Sequence, residues 1–164
     1  MIRQLQKEDF EKVIQIVNQN WITVYNQYVN PLLLNEEGCQ RRECHLKHDF
    51  QNHRLYEYVW VENNQVLGML SIGKTSDEDK PNVLEIWRIY IDSSAQGKGI
   101  GKQLLAYGEQ KAQEEGYNEV VIWVFKENHR ALKFYQKNGY VKDKEEYLGE
   151  PYLATGIRLL KKLS

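Results

Sequence analysis

The first third of the chain carries two helical patterns. Apolar residues repeat at helical spacing behind a candidate capping residue, Asp9, at Phe10, Val13, Ile14 and Val17. This spacing predicts a first amphipathic helix, and a second, short helix is predicted over Trp21–Tyr28, before Pro31. The segment Glu36–Gln51 predicts a further helix that is polar and highly charged.

Two apolar runs then predict a β-hairpin. Tyr56–Val61 and Val66–Ile72 are strand-like, and Glu62–Gln65 between them has the composition of a turn. A charged loop, Lys74–Lys80, separates this hairpin from another apolar strand, Val83–Ile91.

The central part of the chain predicts a strand, a helix and a second strand. Lys102–Glu115 is rich in helix formers, and one face carries small and apolar residues at Gly101, Leu104, Leu105, Gly108 and Ala112. Gly116 ends this helix, and the continuous apolar run Val120–Phe125 is typical of a strand buried on both faces. This order predicts a parallel strand pair with a right-handed crossover.

The last elements complete one domain. Asn128 is a candidate cap for a helix that includes Leu132, Phe134 and Tyr135 and that stops at Gly139, and two final strands are predicted at Tyr140–Val141 and Tyr152–Leu160. No linker or repeat divides the 164 residues. We therefore predict a single α+β domain, residues 1–164, with a mixed sheet of six or seven strands.

A glycine-rich turn, Gln96–Gly101, joins the strand Val83–Ile91 to the following helix. Glycines at a helix start expose unpaired backbone N–H groups, so this turn is a candidate anion site. A P-loop is excluded because Gly97 and Gly101 enclose only three residues and Gln103 follows Lys102. The dinucleotide-binding fingerprint fails too, because its last glycine comes one residue too early.

The motif that does fit, Gln-x-x-Gly-x-Gly from Gln96, resembles the coenzyme A signature of the GCN5-related N-acetyltransferase (GNAT) family. Leu84–Ile91 is similar to that family's fourth strand, and the pattern from Asn128 to Tyr140 is similar to its closing helix and strand. The resemblance implies a mostly antiparallel mixed sheet, flanked by helices, with splayed central parallel strands. It also implies an acetyl-CoA-dependent N-acetyltransferase in which an amine attacks directly in a ternary complex.

The resemblance also assigns candidate cofactor-binding residues. It implies that the backbone of Ile89 and Ile91 pairs with the pantetheine arm and that Asn128 orients this arm, whereas simple helix capping is the alternative for Asn128. The resemblance implies that backbone amides of the glycine turn bind the pyrophosphate and that the Lys98 ammonium adds a contact. These amides belong to Gln96, Gly97, Lys98, Gly99, Ile100, Gly101 and Lys102.

Two residues are candidate catalytic groups. The family places a tyrosine at the position of Tyr135, where a hydroxyl near sulfur stabilises the departing thiolate; the alternative is packing beside Phe134. Glu85 matches the general-base glutamate of some branches of the family, whereas other branches use a chain of water molecules. The remaining alternatives for Glu85 are pairing with Arg88 and a role as a structural polar group.

The sequence indicates less about the acceptor amine and other partners than about the cosubstrate. A polyamine, another small amine, or a peptide or protein amine would each suit the reaction. The resemblance implies that the first two helices and the final strands line the acceptor side, where the aromatic and acidic residues are Trp21, Tyr25, Tyr28, Tyr147 and Glu150. A catalytically idle acyl-CoA-binding module is the alternative function. An ATP-binding protein is disfavoured by the missing Ser/Thr after Lys102.

Composition adds few constraints. A net charge of −1 gives no nucleic-acid signal, and the chain has neither a signal-peptide core nor an apolar run of membrane-spanning length. We expect a cytoplasmic protein that binds no membrane, with Cys39 and Cys44 reduced. The spacing of these cysteines does not predict a metal site, and the resemblance is compatible with a homodimer.

Overall fold

A computed structural model describes all 164 residues and shows one seven-stranded mixed sheet with helices on both faces. The strands are β1 (Ile2–Gln4), β2 (Tyr56–Glu62), β3 (Gln65–Lys74), β4 (Leu84–Ile91), β5 (Glu119–Phe125), β6 (Val141–Tyr147) and β7 (Thr155–Lys162). The α-helices are α1 (Phe10–Val24), α2 (Glu36–Gln51), α3 (Ile100–Glu114) and α4 (His129–Lys137). The strand order is β1-β2-β3-β4-β5-β7-β6, and β4–β5 is the one parallel pair.

These elements confirm the predicted mixed sheet and correct some boundaries. The separate short helix predicted over Trp21–Tyr28 is wrong, because α1 runs without a break to Val24. Trp21 continues the apolar stripe one turn beyond Val17, and the Tyr25 amide donates to the Trp21 carbonyl to close the last turn. The three-residue strand β1 was not predicted, and α3 begins at Ile100 rather than Lys102.

The two faces of the sheet bury separate cores. On one face, α3 packs Leu104, Leu105 and Ala112 against β3 and β4. Gly108 lets this helix lie close, since an added Cβ would be 3.5 Å from a methyl carbon of Leu70. On the other face, α1 and α2 pack against β2 and β3 through Val13, Ile16, Val17, Leu46, Val59 and Met69.

The parallel pair β4–β5 is short. Its register includes only Leu84 with Val120 and Glu85 with Val121, so the two strands part beyond Glu85. The Asp92 amide donates to the Leu67 carbonyl at 2.8 Å, on the β3 side of β4. The N–H and C=O groups of successive residues point to opposite edges of a strand. Since those of Asp92 point toward β3, the backbone groups of Ile89 and Ile91 point toward the gap between β4 and β5.

A β-bulge at Trp87 changes which side chains of β4 share a face. Ile72 of β3 pairs with Ile86 while the adjacent Ser71 pairs with Arg88, so Trp87 is an extra residue in β4. Arg88 and Tyr90 therefore lie on the α1–α2 face, where Tyr90 accepts a hydrogen bond from the indole of Trp21. Ile89 packs on the opposite face, against the α3 core.

Candidate functional site

A cleft of about 810 Å³ opens where β4 and β5 separate. Its walls come from β4, β5, the end of α1, the start of α4 and the loop after β3. Eight aromatic side chains line it: Trp21, Tyr25, Trp87, Tyr90, Trp123, Phe125, Tyr135 and Tyr152. Aromatic faces are suited to binding a cation or an apolar chain.

Carboxylates outnumber cationic groups in the wall of this cleft. The acidic lining residues are Asp77, Glu78, Asp79, Glu85 and Glu146, and the basic ones are Arg88 and Lys144. Three of these carboxylates are already paired, Asp77 and Asp79 with Arg158 on β7 and Glu146 with Lys144, so Glu78, Glu85 and the aromatic faces are what the wall offers a positively charged ligand.

Glu85 is a buried carboxyl with a perturbed pKa. Its side chain accepts a hydrogen bond from the Thr75 hydroxyl at 2.6 Å, and only 6% of the residue is exposed. Burial raises the pKa of Glu85 to about 7, against the lowering effect of the Thr75 hydrogen bond. The predicted alternative pairing with Arg88 is wrong, because the Arg88 guanidinium instead donates to Asp49 at 2.7 Å.

The loop that follows β3 is held against Glu85 by a buried arginine. Arg158 on β7 is 2% exposed, and its guanidinium binds three carboxylates, those of Asp77, Asp79 and Asp143. Asp77 also accepts from the indole of Trp123 at 2.9 Å, and its own amide donates to the Thr75 hydroxyl at 3.2 Å. The position of the Thr75 hydroxyl on Glu85 therefore depends on this network.

Tyr135 lies on α4 and lines the same cleft as Glu85. The residue is 5% exposed, with its ring edge-on to Phe134 at 5.1 Å and to Tyr140 at 5.8 Å between centroids. Burial, followed by the neighbouring Tyr90, raises the pKa of Tyr135 well above its ordinary value. The phenol consequently stays protonated near neutral pH and can act as a hydrogen-bond donor.

The glycine turn has the backbone geometry of an anion site. Gly97 and Gly99 have φ values of 79° and 80°, which favour glycine, and a Cβ added to either would meet no atom within 4 Å. Gly99 is the N-cap of α3, so the first amides of this helix lack intrahelical acceptors. No acidic residue occupies the first turn, and the exposed Lys98 and Lys102 form no ion pair.

The predicted site residues divide between the cleft and the glycine turn, except Ile91, whose side chain packs against the α3 core. Four of them line the cleft: Glu85, Ile89, Asn128 and Tyr135. The segment from Gln96 to Lys102 lies outside the cleft lining, and the Ile100 side chain is buried in the core, so only its backbone is available. The Asn128 side-chain oxygen accepts from the Ala131 amide at 3.3 Å, which confirms the predicted cap.

The residues predicted on the acceptor side differ in where they lie. Trp21 and Tyr25 line the cleft, whereas Tyr28, Tyr147 and Glu150 do not. Trp87, Trp123, Phe125 and Tyr152 were not predicted as site residues. The parting of β5 from β4 exposes Trp123 and Phe125 to the cleft, and no sequence signal marks where a strand pair parts.

No group of three or more His, Cys, Asp or Glu side chains is arranged to hold a metal ion. None of the helices is long and apolar enough to cross a membrane.

Known proteins resemble this chain in both sequence and fold. The model of the acetyltransferase (GNAT) family matches residues 10–140. The spermidine N(1)-acetyltransferase of Thermoplasma acidophilum is 26% identical over 148 residues, which cover 85% of this chain and 86% of that protein.

Two solved structures have the same fold. An N-acetyltransferase from Staphylococcus aureus Mu50 matches with a TM-score of 0.78 at 26% identity, covering 100% of this chain and 98% of that one. The structure of yncA from Salmonella typhimurium with its cofactor acetyl-CoA matches with a TM-score of 0.75 at 20% identity, covering 100% and 94% of the two chains.

The raised pKa of Glu85 predicts a pH-dependent contribution to stability. Because the folded-state pKa of about 7 exceeds the ordinary value of 4.5, stability from this group is complete below pH 4.5 and is lost as the pH rises through 7. Relative to Glu85→Gln, the wild-type free energy of unfolding should fall by roughly 3 kcal/mol over that window. Denaturant titrations at several pH values measure this difference.

Glu78→Gln is the matched control, because it removes the same charge from an exposed position on the cleft wall. A wild-type stability that changes with pH in parallel with that of Glu85→Gln would show that the Glu85 carboxyl is not perturbed.

Proposed function

Because the chain belongs to the acetyltransferase (GNAT) family, we propose that this N-acetyltransferase moves an acetyl group from acetyl-CoA directly to a primary amine. The observation that carries the proposal is that two complementary groups line one cleft. Glu85 has a pKa of about 7, which suits a proton acceptor, and Tyr135 is a buried, protonated donor. No covalent enzyme intermediate is required, since the amine itself is the nucleophile.

The glycine turn fits the diphosphate of acetyl-CoA. The open space beside Gly97 and Gly99 leaves room for phosphate oxygens against the backbone, and the start of α3 offers free amides. The Lys98 and Lys102 side chains, which have no carboxylate partners, add positive charge there. When bound, acetyl-CoA supplies an acetyl thioester that is activated toward attack by an amine.

The free edge of β4 fits the pantetheine arm. Its backbone groups at Ile89 and Ile91 face the gap, where an amide-containing chain can pair with them as an added strand would. The Ile91 carbonyl already accepts from the Asn20 side chain at 3.1 Å, so the Ile89 groups and the Ile91 amide are the ones that remain. Asn128 lines the cleft from the opposite side of the gap.

Glu85 is proposed to take the proton of the acceptor. An alkyl ammonium has a pKa near 10.4 and cannot attack until it is deprotonated. A carboxylate with a pKa of about 7 accepts that proton, directly or through water, and releases it to solvent at a useful rate. Thr75 positions the carboxylate through its hydrogen bond.

Tyr135 is proposed to donate a hydrogen bond to the departing sulfur. A phenol of ordinary pKa about 10 is a weaker acid than a thiol at about 8.5, and burial weakens the Tyr135 phenol further. Complete proton transfer before the carbon–sulfur bond breaks would therefore be uphill by more than ~2 kcal/mol. The hydroxyl consequently stabilises negative charge as it develops on the sulfur.

The cosubstrate site is tested by Gly99→Glu, which should abolish acetyl-CoA binding by filling the anion cradle and adding like charge. Isothermal calorimetry with acetyl-CoA measures the loss. Gly116→Glu is the matched control, because Gly116 has a similar φ of 86° and open surroundings at the other end of α3. Equal affinity in both folded variants would refute the assignment of the turn.

Tyr135→Phe should lower kcat by about 10- to 1000-fold while acetyl-CoA affinity stays nearly intact, because the hydroxyl acts mainly in the transition state. Steady-state kinetics together with calorimetry measure this split. Tyr140→Phe removes a neighbouring buried hydroxyl that instead bonds Glu109, and it should not produce the same loss of kcat. An unchanged kcat in Tyr135→Phe would reduce this residue to a packing role.

The Glu85→Gln variant should lower kcat/KM about 100-fold near neutral pH. It should also abolish the decrease of kcat/KM below about pH 7, the acidic limb of the pH profile, which protonation of the Glu85 carboxylate imposes. Rates on one amine across the pH range separate this limb from ionisation of the amine itself, which both proteins share. Glu57→Gln neutralises another buried carboxyl, outside the cleft lining, and should keep the limb. Superimposable wild-type and Glu85→Gln profiles would show that another group takes the proton.

A further inference from the structure

A second cavity of about 470 Å³ adjoins the cleft on the α1–α2 face of β4. The residues that line both are Trp21, Trp87, Arg88, Tyr90 and Tyr152. The two spaces are therefore neighbours that share these side chains. This cavity is called the α2 cavity below.

The α2 cavity differs from the cleft in charge. Its lining includes the guanidinium groups of Arg42, Arg54 and Arg88 but only one carboxylate, Asp49. Two of these arginines share that carboxylate, Arg88 at 2.7 Å and Arg54 at 3.2 Å. The cavity therefore contains more cationic than anionic groups, the reverse of the cleft wall.

Arg42 has no carboxylate partner at all. Its guanidinium donates to the side-chain oxygen of Asn18 at 2.8 Å and to the Leu33 carbonyl at 2.5 Å, both of which are neutral groups. The guanidinium carbon lies 4.7 Å from the ring centroid of Trp21. A third N–H donates to the Cys39 sulfur at 3.4 Å, so two of the five guanidinium N–H groups are left for an oxyanion.

Arg54 has a similar arrangement at the other side of the cavity. Its guanidinium carbon lies 4.5 Å from the ring centroid of Trp87, and its side chain is 46% exposed. The Trp87 indole nitrogen is buried without a hydrogen-bond partner, which adds an unused donor in the wall shared by the two spaces. The lining of the α2 cavity thus contains three guanidinium groups and one carboxylate, and Arg88 also pairs with Glu57 outside the lining at 3.4 Å.

We infer that the acceptor amine carries an anionic group, a carboxylate or a phosphate, at a distance from the nitrogen that is acetylated. This inference rests on the proposed function, since it assigns the ends of one acceptor to two parts of one site. The ammonium end faces the carboxylates and aromatic rings of the cleft, and the anionic end binds at Arg42 and Arg54. A second ammonium group in the α2 cavity would instead meet like charge.

The test compares matched amines in the presence of acetyl-CoA. A series of ω-aminocarboxylates of increasing length is assayed beside the corresponding amides, the ω-aminoalkyl phosphates and spermidine. Wild-type kcat/KM should be at least about tenfold higher for the best carboxylate or phosphate than for its uncharged counterpart, because charge-assisted hydrogen bonds favour the anion. The relative rates of carboxylates and phosphates identify which anion the cavity prefers.

Arginine variants locate the origin of this preference. Arg42→Gln and Arg54→Gln should each reduce the anion-to-amide selectivity about tenfold, mainly through KM, and Arg42→Lys should retain part of it. Arg41→Gln is the matched control, because Arg41 lies on the same helix with a side chain that is 59% exposed and next to Glu37. If Arg42→Gln does not fold, the more exposed Arg54 provides the decisive variant.

The outcomes separate the two proposals. Equal kcat/KM for anionic and uncharged amines, or a preference for spermidine, would overturn the inference while leaving acetyl transfer intact. Unchanged selectivity in both folded arginine variants would overturn the assignment to the α2 cavity. Failure of every amine in the series to be acetylated, by an enzyme that binds acetyl-CoA, would also overturn the inference, whereas loss of acetyl-CoA binding itself would count against the proposed function.

Discussion

The parting of β4 from β5 is the constraint on which the rest of the site depends. A sheet that opens in its middle leaves backbone donors and acceptors without partners, and each such buried group costs free energy. The protein tolerates this opening because β4 keeps its ladder with β3 and β5 keeps its ladder with β7. Asn20 satisfies one exposed carbonyl, and the remaining groups are those proposed to pair with the pantetheine arm.

The helices, the hairpin and the glycine turn could be predicted from sequence because short-range patterns specify them. Gly97 and Gly99 illustrate this, since their positive φ values follow from residue type and local position. The error over Trp21–Tyr28 has a local cause as well: Trp21 continues a helix already begun at Phe10, and that helix ends at Val24, before Tyr25 and Tyr28.

The composition of the cleft wall could not be predicted in the same way. Strict alternation would place the side chains of Glu85, Trp87 and Ile89 on one face of β4. The extra residue at Trp87 instead puts Ile89 on the opposite face of the sheet from Glu85. A register shift of this kind depends on tertiary pairing with β3 and has no signature in the apolar pattern. The aromatic residues of β5 and the loop after β3 reach the cleft through similar long-range contacts.

The distribution of tryptophan has an optical consequence. Three of the four tryptophans, Trp21, Trp87 and Trp123, line the cleft, whereas Trp60 is buried in the core between the sheet and α3. Indole fluorescence responds to nearby charge, stacking and water, so the cleft indoles sense occupancy directly while the Trp60 environment stays fixed by packing. The opening of the sheet has thus placed three of the four indole rings of the protein in the wall of one cleft.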